Sequence, residues 1–244
     1  MAREPERPRP SPTSVPDPVR ASPGGSTGPV PPARPRQNRA TPLGDLIATP
    51  ARGTWMGNRG RLHDDAGRVV RTVVPSHRAW VTCRLEFRGR RRPLMAPGRY
   101  TELFFLDEAT ALAAGHRPCG ECRRADYRRF RAAWLSGNAE RGLDPDAPIQ
   151  AIDRELDADR RAPGGRRRTF EAPLETLPDG TFVEIAGEGW LVWRGRLAAW
   201  TPAGYRTPVV PGPPATAVTV VTPRSTVAAI AAGYVPEVHP TADG

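Results

Sequence analysis

Cys119 and Cys122, with Gly120 and Glu121 between them, stand where one helical pattern ends and another begins. No other feature of this sequence restricts its neighbourhood to so few backbone arrangements. Two thiolates at this spacing can grip one tetrahedral metal ion, and the N-terminus of a following helix favours their negative charge. The same spacing serves in redox pairs, but those open a helix directly after a strand. Here the motif follows a helix and a Gly-x-x-Pro exit. Two unrelated structural cysteines are the remaining reading. The only other cysteine is Cys83. Three cysteines cannot close a disulfide framework, so a reducing, cytoplasmic setting is expected. No run approaches the ~18 apolar residues of a membrane span, and the first residues lack the apolar segment of a secretory leader. A membrane protein is therefore not expected.

The flanks of the pair are regular. Residues 79–87, AWVTCRLEF, alternate: Val81, Cys83, Leu85 and Phe87 fall on one face and Thr82, Arg84 and Glu86 on the other. That is the pattern of a half-buried strand whose apolar face is the inner one. Before it, RGRLHDDAGRVVRTVV reads as a hairpin turned by Asp64, Asp65 and Gly67. After it come a basic turn, RGRRRP, and a second strand, TELFFL, at 101–106. Asp107 then caps a helix over EATALAA, which ends at Gly115 before Pro118. Beyond the cysteine pair, ADYRRFRAAWL places Tyr127, Phe130 and Trp134 on one helical face.

The outer parts of the chain differ in kind. Twelve of the thirty prolines lie within residues 1–42, a stretch too poor in bulky apolar residues to offset its ordering entropy, so a disordered arm is expected. Residues 138–169 read as a connector carrying a short helix with Ile149, Ile152 and Leu156 on one side. From 170 to 244 the pattern is β-rich: TFVEIA, WLVWR, LAAWT and ATAVTVV are strands, followed by a helix opened by Thr222-Pro223. Altogether this predicts an α+β protein, with a basic module over 43–137 and a β-rich lobe over 170–244. One internal echo stands out. LAAGHRP (112–118) and IAAGYVP (230–236) both run from helix through glycine to proline. A shared capping solution accounts for it, with His116 and Tyr234 as exit residues that pack or stack.

Charge is unevenly placed. Every one of the 36 basic residues is arginine, and the net charge is +3 over 1–50, +10 over 51–136 and −3 over 137–244. A positive field of that strength marks either a polyanion partner such as nucleic acid or a solubilising surface.

The string LFFLDEATALAAGHRPCGECRR resembles the zinc-binding N-terminal domain of Ada-type DNA-repair proteins. Phe104, Phe105, Ala114, Gly115, Arg117, Pro118, Cys119 and Cys122 stand at matching positions, and His116 replaces an aromatic residue. The likeness covers residues 103–124. It implies a small α/β zinc module bound to DNA, with the cysteine pair as two metal ligands. That family draws its other two ligands from an upstream cysteine pair, one of which accepts methyl groups. This chain has Cys83 alone there, so the methyl-acceptor function does not carry over. The implied ligand set is Cys83, Cys119, Cys122 and one histidine, His77 or alternatively His63; His116 occupies an aromatic slot. A closed set of this kind is structural and contributes folding energy.

The expected function is therefore a structural-zinc, nucleic-acid-binding protein, most naturally of DNA. Arg88, Arg90, Arg91 and Arg92 in the basic turn and Arg123, Arg124 and Arg128 near the metal would contact phosphates. Two other classes remain. One is an enzyme, either a metal-assisted nuclease or a Cys83-centred repair activity; Asp64-Asp65 after His63 is the pair a nuclease metal would use, but before a glycine it is turn chemistry first. The other is a metal-free structural or interaction protein. The sequence contains no H-E-x-x-H, G-x-S-x-G or P-loop motif.

Overall fold

A computed structural model of the chain describes residues 34–90, 93–162, 166–210 and 217–244. Short runs of β-branched and apolar residues build two six-stranded sheets there, and four α-helices pack with them, an α+β arrangement. The first sheet comprises β1 (Gln37–Ala40), β2 (Leu46–Ala48), β3 (Trp55–Asn58), β4 (Val81–Cys83), β5 (Leu103–Phe105) and β6 (Arg117–Pro118). Its order is β2-β1-β5-β3-β4-β6. The second holds β7 (Phe170–Pro173), β8 (Phe182–Ile185), β9 (Glu188–Trp193), β10 (Arg196–Thr201), β11 (Gly204–Tyr205) and β12 (Ala217–Val220), in the order β11-β10-β9-β8-β12-β7. The helices are α1 (Glu108–Ala113), α2 (Arg124–Gly137), α3 (Ile149–Arg160) and α4 (Arg224–Ala231).

Helix α1 connects the two sheets. One side, through Ala111 and Ala114 beyond its end, packs with Trp55, Leu103 and Phe105 of the first sheet. The other, through Ala109 and Ala113, packs with Phe182, Leu191 and Ala198 of the second. Small residues on both sides let the helix approach both sheets closely. Its cap, Asp107, does more than start the helix. Oδ1 accepts from the Thr110 amide at 2.8 Å, and Oδ2 accepts from the Tyr205 hydroxyl at 2.7 Å and the His239 amide at 2.9 Å.

Several boundaries move relative to the sequence reading. Residues 1–33 of the expected arm lie outside the described residues, but 37–40, inside its span, form β1 between β2 and β5. Pro35–Gly244 group into one compact unit, so the expected breaks at 137 and 169 divide no bodies. The connector is part of the core: Ile152 and Leu156 of α3 are fully buried with Phe130 and Trp134 of α2 and Ile230 of α4. The hairpin expected over 59–74 reduces to a turn with one bridge, His63 to Val69. There the Asp64 carboxylate takes the Ala66 and Arg68 amides that longer strands would use.

The strand at 79–87 departs most. Only Val81–Cys83 pair, and the faces are reversed: Thr82 is fully buried, while Val81 and Cys83 are half-exposed. The cause lies in the neighbouring strands. Thr82 stands opposite Gly57, and the Phe105 ring lies over that glycine; a Cβ there would come within 2.9 Å of it. The inner face is already filled by an aromatic ring and accepts only small residues beside it. The sulfur of Cys83 is thereby turned outward.

The internal echo is a repeated helix end. The Gly115 amide donates to Leu112 O and the His116 amide to Ala111 O; Gly233 and Tyr234 make the same two bonds to Ile230 O and Ala229 O. Both glycines hold positive φ, +88° and +101°. Both exit residues are buried against rings: His116 on Trp80 and Phe105, Tyr234 on Phe130. Such paired bonds satisfy carbonyls that a helix end otherwise leaves open.

Candidate metal centre

Parallel pairing of β4 with β6 sets the site. Val81 stands beside Arg117 and Thr82 beside Pro118, so the next step of each strand brings Cys83 next to Cys119. The Cys119 amide continues the ladder by donating to Thr82 O at 2.9 Å. The chain then turns, and the Arg123 amide closes the turn on Cys119 O, which returns Cys122 to the same spot. All three sulfurs lie within 4.8 Å of one another. None is in a disulfide, and each residue is half-buried.

The thiols are in electrostatic conflict with one another. Cys119 Sγ accepts from the Cys122 and Cys83 thiols and from the backbone amides of Cys122 and Glu121, which holds it far below the usual thiol range. Cys83 and Cys122 are pushed up, each chiefly by its hydrogen bond to Cys119. Three thiolates at this distance cannot coexist without a cation between them. A divalent ion removes the conflict, and amide donors to the sulfurs complete the surroundings such a centre needs. The Arg84 amide, just past the end of β4, donates to Cys122. The donor set fits a thiophilic metal ion.

No histidine joins the sulfurs, although all four histidines of the chain are described residues. The fourth ligand expected at His77 or His63 is corrected accordingly. His63 is buried and engaged elsewhere, Nδ1 with Thr101 Oγ1 at 2.6 Å and Nε2 with Ala96 O at 3.2 Å. His77 sits in the turn beside Gly60 and Val74, where its carbonyl accepts from the Trp80 indole. Asp64 and Asp65 serve the turn: Asp64 caps amides and Asp65 pairs with Arg61 at 2.6 Å. Among the described residues they gather no third ligand.

The arginines expected at phosphates divide. Arg88, Arg124 and Arg128 are exposed and make no ion pair among the described residues; Arg88 lies over the Phe87 ring. Arg90 is exposed but bonded to Glu121 at 2.7 Å. Arg91 and Arg92 lie outside the described residues. Arg123 is the correction. It is 2% exposed, ion-paired with buried Glu108 at 2.8 Å and laid over the Trp55 ring. It is a core residue and faces no solvent-borne ligand.

Sequence reasoning also missed what lies beside the sulfurs. A groove of about 890 Å³ runs along the outer face of the first sheet, with all three cysteines in its wall. Met56, Asn58, Val81 and Phe104 line its floor; Met56 pairs with Cys83 and Phe104, and Asn58 with Val81. Arg84 and Leu85 line it as well. Only strand register could reveal this floor, since Met56 and Phe104 belong to no motif. The chain matches no protein-family model, no curated protein and no solved structure in these comparisons. The likeness to the Ada-type zinc domain is therefore one of sequence over residues 103–124 alone.

Proposed function

We propose that this chain is a zinc-binding, nucleic-acid-binding protein. One observation carries the metal reading: three cysteines from two strand ends and a turn converge within 4.8 Å, though nothing in a closed core needs three thiols together. Zinc suits a thiolate set in a reducing compartment. The metal joins β4 to the entry of α2, and a helix entry carrying Arg124 and Arg128 beside a turn carrying Arg88 forms a basic rim around that point. Phosphate contacts from such residues release counterions, so affinity falls with added salt by a slope of about −0.9 per contact on duplex DNA. The test is a titration of the zinc-loaded chain with duplex DNA across a range of salt. Replacing Arg124 and Arg128 by Gln should lessen the slope by about 1.8 in total. Affinity indifferent to salt would overturn the nucleic-acid reading.

A further inference from the structure

The three cysteines line one wall of the groove. Thr82 is fully buried behind Cys83, and the Glu121 and Arg84 amides close on Cys119 and Cys122. Among the described residues, the open side of the triad is the groove. The chain offers no fourth thiol or imidazole there. Three carboxylates line the groove: Glu121 is held by Arg90 at 2.7 Å, buried Glu102 accepts from the Met95 amide at 2.7 Å, and Glu86 is exposed; none lies within 4.8 Å of all three sulfurs. A divalent ion with three thiolates carries a net charge of about −1, a soft and electron-rich set that leaves little positive charge for hydrolytic chemistry and favours a soft fourth donor. A fourth thiolate would make the centre more negative, and Arg84 and Arg88, which make no ion pair among the described residues, line the same groove to offset that charge.

We propose that the metal held by Cys83, Cys119 and Cys122 takes its fourth ligand from outside the chain: the thiol of a small organic molecule. Its apolar part lies on Met56, Val81 and Phe104, and its anionic group meets Arg84 and Arg88. On binding, the S–H bond breaks, its proton goes to solvent and a metal–sulfur bond forms; nothing is oxidised or reduced. The proposal rests on the metal half of the function proposed above and shares only Arg88 with the nucleic-acid half.

The full chain loaded with Co²⁺ in place of zinc reports the number of sulfur ligands through its sulfur-to-cobalt charge-transfer absorption. Titration with 3-mercaptopropionate should raise that absorption by about one third, from three thiolates to four. Propionate should not raise it. The Glu121→Gln chain should respond like the parent, and Arg84→Gln should weaken the apparent affinity for the thiol by about threefold to tenfold. An absorption unmoved by the thiol overturns the proposal. So does a response confined to Glu121→Gln, which would make Glu121 the fourth ligand, and so does stripping of cobalt by the thiol. Failure of the chain to develop any sulfur-to-cobalt absorption would instead remove the metal reading itself.

Discussion

His116 is fully buried, between the rings of Trp80 and Phe105. Burial, first, and then the Arg59 and Arg160 guanidinium groups hold its pKa well below 6.5, while the Ala111 and Ala114 carbonyls pull weakly the other way. In the folded chain the ring is neutral; in the unfolded chain it takes a proton below about 6.5. Its contribution to stability is thus fully present above that pH and is lost as pH falls, at about 1.4 kcal/mol per unit, until the folded ring itself protonates. Urea midpoints taken between pH 7.5 and 5.5 should fall more steeply for the parent than for His116→Phe. Parallel slopes would show that the ring is not the acid-sensitive group. Arg123, laid over Trp55, shows the limit of reading charge from sequence. Its partner Glu108 belongs to α1, a helix packed on both sides, so an arginine at the entry of a polar-looking helix is drawn inward. By contrast, the packing role of His116 was legible, because its counterpart in the echo is Tyr234.

Among the elements, three helix ends were legible and one was not: α4 starts at Arg224 with Pro223 at the cap, and the Thr222 hydroxyl expected there accepts from the Phe182 amide at 2.8 Å instead. Asp107, Gly115 and Gly233 act where local sequence places them, because capping depends on side chains within a few residues. The two glycine ends also differ in a measurable way. Both hold positive φ, a conformation that costs an ordinary residue about 1–2 kcal/mol. A Cβ at Gly233 would meet nothing within 4 Å, whereas one at Gly115 would come within 2.8 Å of Arg160 Cδ, whose guanidinium also donates to Gly115 O. Gly115→Ala should therefore destabilise the protein clearly more than Gly233→Ala, as read from thermal or denaturant midpoints. Equal losses would mean that Arg160 moves aside without cost. Strands were less legible. Alternation correctly marked β4, but the choice of inner face was reversed, because Phe105 over Gly57 decides it and both belong to other strands. Parallel pairing of β4 with β6, which gathers the cysteines, leaves no local trace either.

At the scale of the molecule, the α+β class and the β-rich second half followed from periodicity, while the lobe boundaries did not, since α1 contributes to three cores, Leu112 joining it to the one that α3 completes. The charge of 51–136 overstates the outward field in the same way: Arg59, Arg117 and Arg123 are buried, and Arg117 is committed to Asp153 by two bonds of 2.7 Å. What the whole chain does rests on whether the three sulfurs hold a metal. That ion would tie β4, β6 and the entry of α2 together, so its loss should lower the stability of the entire Pro35–Gly244 unit. The most direct measurement is metal content by mass spectrometry of protein purified without a metal-binding tag, beside Cys83→Ser, Cys119→Ser, Cys122→Ser and His77→Ala. The account predicts about one zinc per chain, retained by the histidine variant and lost from each cysteine variant together with thermal stability. A stably folded parent without metal, or cysteine variants that keep it, would contradict the account.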